Sequence, residues 1–502
     1  MKFITNPITL IFIIVFLVGC TSIPKDLGRS DVDALVSERG ISVDDESSVS
    51  NDELVNTLIS EPLTAESAIR IALVNNSQLK ATYADLGIAA ADVYEAGRIR
   101  NPVFSVASLD TNESGERNQT TFGIIASFTD LLTLPSRKKF AEGEFAKMKM
   151  LVSNEVLKTA AEAESAFYHF VASKQVAALR TQIAKAGSLS LELAKRYYYA
   201  GNLTPREFAL EHASASEFQI ASLETQAEAY SKRVELATFL GISAADDWDS
   251  PANLPLPLNQ EDDIDELIEL ANKYRLDLAA ASSHVDLVAN KYGVTKWTSV
   301  LGEIDIGIEH ERETDGAELT GPVLEWEIPI FGTNRNQRLR AQAELKKAIV
   351  EMQHLKIAVE NEVRLAHAAT QNVKARVDEY RKKLIPARME AVEFAQEEEN
   401  FMLIGIFELL ESKQEEYDAY QGYIEVVRDY WLARTELANV VGNTLPSSTH
   451  VGSEQLNVEE YIAPKESAID HSGHTMQKND DHSGNDMKMN SNESEHDAHS
   501  GH

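Results

Sequence analysis

The feature that most limits the folds open to this 502-residue chain is an internal duplication spanning most of its length. AIRIALVNNSQLKA (68–81) aligns without gaps on LIELANKYRLDLAA (267–280), with Ala72 on Ala271, an offset of 199. AEGEF (141–145) aligns on AQAEL (341–345) at an offset of 200, and Gly241 matches Gly442 at 201. Units this long do not stack as solenoid repeats. They read as one domain present twice, each copy contributing the same set of elements.

Each copy holds a short helical stretch, a pair of alternating segments and a very long helical hairpin. In the second copy helix formers run from about Asn334 to Leu403, with Pro386 the only proline. Then Tyr417, Tyr420, Ile424, Val427, Trp431, Ala438 and Val441 step by three and four, with Arg434 in the remaining slot. The first copy runs from about Ala141 to Tyr199, then through Gly201-Asn202-Leu203-Thr204-Pro205 into Ile220, Leu223, Ala227, Tyr230, Val234 and Ala237. Such stepping marks helices packed lengthwise on other helices. The reversals are expected at Gly201 and Gly405, because glycine tolerates any backbone angle. These glycines are 204 apart, so the first tip is expected to carry about three extra residues after its glycine.

Strands are expected at 103–109, 121–128, 303–309 and 323–330. Ile304, Ile306 and Ile308 alternate with Glu303, Asp305, Gly307 and Glu309; Leu324, Trp326, Ile328 and Ile330 alternate with Glu325, Glu327 and Pro329. Phe122, Ile124, Ala126 and Phe128 alternate well, Val103 to Leu109 roughly. One charged and one apolar face fits strands with lipid outside and water inside, although any single strand also fits a half-buried sheet. Polar loops at 110–119 and 310–320 link them in twos. Four strands cannot close a barrel, and transmembrane barrels need at least ~8. An open edge in lipid is forbidden. The chain must therefore oligomerise. Three copies would bring twelve strands and twelve long helices, and a helix of ~60 residues reaches ~90 Å. The expected fold is mainly α with a small transmembrane β part, standing off the membrane as a hollow tube.

Lys2 precedes an apolar run from Ile8 to Val18, too short to span a bilayer and the right length for a secretory signal, expected over 1–19. The run ends Leu17-Val18-Gly19-Cys20, which resembles the bacterial lipobox, so lipidation is expected at Cys20, the sole cysteine. The bland alternative is a leftover buried cysteine. Thr21 follows in place of the aspartate that favours inner-membrane retention, which directs the chain to the outer membrane of a Gram-negative cell. Residues 20–62 then form a lipidated, mostly irregular arm. The first repeat spans 63–249, a Pro-rich linker 250–262, the second repeat 263–442, and a C-terminal segment 443–502. A net charge of −33 argues against nucleic acid as a partner.

At this point the chain resembles the TolC family of outer-membrane efflux proteins, from Leu63 to Gly442. The likeness lies in LTAESAIRIALVNNSQL, in Arg100-Asn101-Pro102 before a strand, in WEIPIFG (326–332) leading into a long helix, in an aromatic and a glycine at each tip, and in the helices ending Leu240-Gly241 and Val441-Gly442. The resemblance implies a homotrimeric channel-tunnel, with a 12-stranded β-barrel in the outer membrane and an α-helical barrel in the periplasm. It implies a periplasmic adaptor and an inner-membrane pump as partners. It places the adaptor on the tips at Gly201 and Gly405. It matches Glu408 and Glu411 to a pair of acids at the second tip, where two stacked carboxylate rings would line the periplasmic mouth; they read equally well as solvated surface glutamates. The first tip has Arg206 and Glu207, with no matching acid pair.

From about 464 the composition changes to a tail rich in His, Met, Ser, Gly and acids, unable to bury a core and expected to be disordered. His471, His474, His482, His496, His499 and His502, with Met476, Met487 and Met489, offer imidazole and thioether donors suited to Cu(I) or Ag(I). The alternative is a hydrophilic tail with chance histidines. No nucleotide loop, nucleophile motif or metal-protease spacing is found, so no enzyme and no resident cofactor are expected. The reading is a passive exit duct for heavy-metal cations. Its rivals are a drug or protein duct of the same fold and a non-pore metal-binding scaffold lipoprotein.

Overall fold

The computed structural model describes residues 25–41, 50–110, 117–327, 335–450 and 454–457. Cys20, residues 328–330 and the whole His/Met tail lie outside them.

The arm is not irregular where it is described. It forms α1 (Arg29–Ser37) and α2 (Asn51–Ile59). Val32 and Val36, four apart on α1, are fully buried against Leu79, Leu86, Val152 and Val156. Two valines at one-turn spacing supply the driving force, a pattern too short to stand out among Asp and Ser. Ser50 caps α2 by accepting from the Glu53 N–H.

Helices α3 (Ala65–Asn75) and α4 (Ser77–Ala96) lead into β1 (Val103–Leu109) and β2 (Gln119–Ser127). Then come α5 (Phe128–Tyr199) and α6 (Pro205–Leu240). The second copy repeats this as α7 (Ile264–Tyr274), α8 (Leu276–Leu301), β3 (Glu303–Arg312) and β4 (Glu318–Glu327). It continues with α9 (Arg335–Glu379), a π-turn at Tyr380–Leu384, α10 (Ile385–Asn400) and α11 (Ile406–Val441). The second strand starts and stops earlier than the alternation indicates, because Ser127 caps α5 and Phe128 is already helical. The third runs on to Arg312, and the fourth begins at Glu318 rather than 323.

The duplication explains the equivalences in detail. Helices α3 and α7 begin and end 199 apart, and the sheet elements that open at Val103 and Glu303 are 200 apart. Core positions keep that offset through Ala177 and Val377, both buried. From Ala184 and Ile385 onward, through Ala194 and Ala395, the buried pairs are 201 apart. The single added residue falls within the π-turn, which is how a helix absorbs one without losing its core face further on.

Each hairpin closes on its own short helix pair. Gly241 and Gly442 adopt φ of 70°, the left-handed C-cap that glycine takes without strain. Asn76 Nδ2 donates to the Phe239 carbonyl (2.8 Å), and its counterpart Arg275 donates through Nη1 to the Val440 carbonyl (3.0 Å). In the helical layer α6 packs on α5, α5 on α11, and α11 on α9 and α10.

The linker is fastened to α11. Arg434, the polar residue in an apolar stripe, pairs with Glu261 (2.6 Å) with both side chains buried. Its other nitrogen donates to Ser447 Oγ (2.6 Å), whose N–H donates to Asp262 (2.9 Å). Trp431 Nε1 donates to the Pro255 carbonyl, and Tyr430 Oη donates to Glu261 (2.5 Å). One arginine therefore joins the linker between repeats to the segment that follows the second.

Candidate functional site

The four strands form one antiparallel sheet in the order β1-β2-β3-β4, with β2 paired to β3 across the repeat boundary. The register puts Phe104, Val106, Phe122, Ile124, Ile304, Ile306, Ile308, Pro322, Leu324 and Trp326 on one face. The chain leaves this face bare: Phe104 and Leu324 are each 67 % exposed. The opposite face carries Glu303, Asp305, Glu309, Glu311, Glu325 and Glu327, and no lysine or arginine of the four strands. Glu303 stands directly opposite Glu327 and Asp305 opposite Glu325. Like charges facing each other destabilise a sheet, an arrangement that only a well-hydrated face tolerates. An uncovered apolar face backed by a wet acidic one is the cross-section of a membrane barrel wall. Among the described residues no helix is long and apolar enough to cross a membrane.

Where the sheet meets the rods, Arg100 of the Arg-Asn-Pro motif grips Asp130 through Nε and Nη2, the latter at 2.8 Å. Asp130 is buried in the first turn of α5. Sequence reading missed Asp130, yet Ser127-x-x-Asp130 is a helix-start signature that could have flagged it. Thr129 Oγ1 also accepts from the Ile304 N–H (2.8 Å), tying β3 to the same turn.

The two tips are built alike, which corrects the expected three-residue difference. Gly201 has φ of 80°, and the residue 201 positions later is Met402, with φ of 60°. The Asn202 N–H donates to the Tyr197 carbonyl and the Leu403 N–H to Glu398, the same closing bond. Gly405 is therefore not the reversal. It occupies the N-cap of α11 with φ −87° and ψ 166°, the position of Thr204 before α6. Both 36-residue return helices then begin alike. Glu207 accepts from the Thr204 N–H (2.7 Å) and Glu408 from the Gly405 N–H (3.1 Å). The bond from the Thr204 backbone holds the Glu207 carboxyl below its ordinary range. Glu408 thus matches Glu207 in the first tip, but Leu210 stands where Glu411 does, so the acid pair is not repeated; the Glu408 carboxylate turns back onto the helix start. Glu411 lies one turn on and is exposed. The apexes differ chemically. Phe401, Met402 and Leu403 are 76, 92 and 74 % exposed, whereas the first tip presents Tyr199 beside Gly201 and Asn202.

Two stripes with the same stepping have different fates. Tyr420, Ile424, Val427 and Trp431 of α11 are buried within the chain, but Ile220, Leu223 and Tyr230 of α6 are exposed. The surface between α6 and α5 is partly polar, with Thr181 and Ser190 of α5 facing Ser222 and Glu211 of α6. On the other side of the layer Ile357 and Leu365 of α9 are exposed as well. Among the described residues no group of three or more His, Cys, Asp or Glu could hold a metal ion.

No protein-family model matches the chain, and no curated protein matches its sequence. Solved structures do match its fold. CusC, whose structures concern folding and transmembrane channel formation, superposes with a TM-score of 0.65 at 13 % identity, covering 76 % of this chain and 92 % of that one. The outer-membrane channel CmeC of Campylobacter jejuni gives 0.64 at 15 % identity, covering 82 % and 89 %. The outer-membrane protein VceC of Vibrio cholerae gives 0.62 at 15 % identity, covering 76 % and 96 %. The fold the chain shares with them is that of outer-membrane channels built from a helical tunnel and a barrel. At these identities the likeness is one of fold.

Proposed function

We propose that this chain is one protomer of a homotrimeric outer-membrane exit duct, lipid-anchored at Cys20, that works with a periplasmic adaptor and an inner-membrane pump. It is a conduit and not an enzyme; the pump supplies the energy. The observation that carries this reading is the sheet, apolar and bare on one face, acidic on the other, and unpaired at the outer edges of β1 and β4 among the described residues. In the duplication β1 is the counterpart of β3 and β4 of β2. The β2–β3 pairing is therefore a template for pairing β4 of one copy with β1 of the next. Two copies reach only the ~8-strand minimum, and three give a barrel with room for a passage. The exposed stripes on α6 and α9 lie at opposite sides of the helical layer, where neighbours in a ring would meet.

The cargo we propose is heavy-metal cations, copper or silver. The acidic barrel face favours cations, and the tail from about 464 offers His and Met donors for Cu(I) or Ag(I). The tips, at Gly201 and at Met402 just before Gly405, would seat the adaptor, and Glu411 with Glu408 would ring the mouth. A cell lacking this protein should become copper- or silver-sensitive while drug tolerance hardly moves; the reverse result would reject the metal cargo and favour the drug duct. Removing residues 464–502 should lower metal tolerance alone. Stepwise conductance in planar bilayers separates duct from scaffold, and its absence would sink the duct.

A further inference from the structure

Near the tips, a cavity of about 180 Å³ opens between the hairpins, lined by Gly187 and Ser190 of α5, Glu211 and Phe218 of α6, and Lys413 and Tyr417 of α11. Glu211 is 4 % exposed. Its Oε1 accepts from Ser190 Oγ (2.5 Å), but its Oε2, wholly buried, has no hydrogen-bond partner. A buried carboxylate oxygen without a partner is strongly disfavoured, so such an atom marks a place meant to receive a donor. The one cation lining the cavity is Lys413. Its ammonium lies 2.8 Å from Glu416 Oε2, three residues along the same helix. Glu416 is also buried, and its other oxygen already accepts from Tyr420 Oη (2.8 Å). Glu416 would keep that bond if the lysine left, and the Lys413 side chain, 40 % exposed, has room to turn.

We propose that Lys413 is a two-position tie whose ammonium pairs either with Glu416 on its own helix or with Glu211 on the other hairpin. In the first position, the one seen here, the lower turns of α11 are joined to themselves. In the second they are joined to α6. Higher up, Arg180 on α5 holds Asp418 (2.7 Å) and Gln421 (2.6 Å) on α11, a fixed tie beneath which the switch works. The inference rests on these side chains alone and holds whatever the duct carries.

Hydrogen exchange on the full chain in detergent tests it, read at amides 197–215 and 396–417. Glu211→Gln and Lys413→Met should each speed exchange there, and the double variant should be no faster than either, a coupling of about fivefold or more. Lys413→Arg should keep the wild-type pattern. Glu416→Gln, which weakens the first position, should drive the ammonium to Glu211 and slow exchange across both segments. Additive single effects, or faster exchange in Glu416→Gln, would overturn the proposal and leave a water-filled void.

Discussion

Gly201 and Met402 occupy the same left-handed backbone position in the two hairpins, yet only one of them is a residue that adopts it freely. A side chain in this region costs about 1 kcal/mol relative to glycine. Met402→Gly should therefore stabilise the second tip by about that amount, and Gly201→Ala should destabilise the first by about 1 kcal/mol. Local opening free energies from hydrogen exchange would show opposite signs; equal signs would refute the equivalence.

The acidic sheet face makes a prediction about charge. Replacing Glu303, Asp305, Glu325 and Glu327 by their amides should lower cation preference, read as a zero-current potential in a salt gradient across a planar bilayer. Each opposed pair removed should also relieve about 0.2–1 kcal/mol of repulsion in the folded sheet. An unchanged potential would mean that this face does not line the path.

The bare apolar face should resist charge. Ile306→Arg or Leu324→Arg should cost ~2–4 kcal/mol if these positions lie mid-bilayer. Heat-modifiable migration of material extracted from outer membranes would report the loss. A variant that folds as well as the parent would argue that the face is covered by protein.

Breaking the linker clasp should be costly in one direction. Arg434→Met takes from buried Glu261 its closest cation, leaving it only Lys374 at 3.8 Å and the Tyr430 hydroxyl, for a loss of up to about 3–5 kcal/mol. Adding Glu261→Gln should recover much of it. Thermal unfolding of the two variants gives the comparison.

Glu164 gives the acid–base test. Burial pushes its carboxyl above the usual 4.5, against the opposing bonds from Thr435 and Tyr168 and the charge of Arg434. A carboxyl raised in the folded state keeps its proton where the unfolded chain has lost it. Its contribution to stability is then complete below the unfolded value and falls as pH rises from there through the folded value. Glu164→Gln should flatten that decline, so the variant gains on the parent as pH rises above the ordinary carboxyl value in denaturant titrations.

The rods and the strand pairs were legible because their periods, three-to-four and two, are written directly in residues such as Ile424, Val427, Ile304 and Ile306. What covers a stripe was not. Ile220 and Tyr230 carry the same pattern as Tyr420 and Trp431, and periodicity says only that a surface wants a partner, not that the partner is in the same chain. The tips are less legible, because glycine marks only one of the two reversals. Met402 shows that a Schellman closure can hold a costly residue, while Gly405 serves as an N-cap. The drift in offset from 200 to 201 was visible, but its seat was not, since only backbone geometry distinguishes a π-turn from a loop insertion.

The unlike apexes have a consequence for whatever meets the rim. Three such chains set side by side would show six equally long fingertips of two alternating kinds, one oily with Phe401, Met402 and Leu403, the other aromatic and polar around Tyr199. A visiting molecule with sixfold repetition would find every second seat foreign. A threefold guest, or one that grips with two different hands, is the guest such a rim would select.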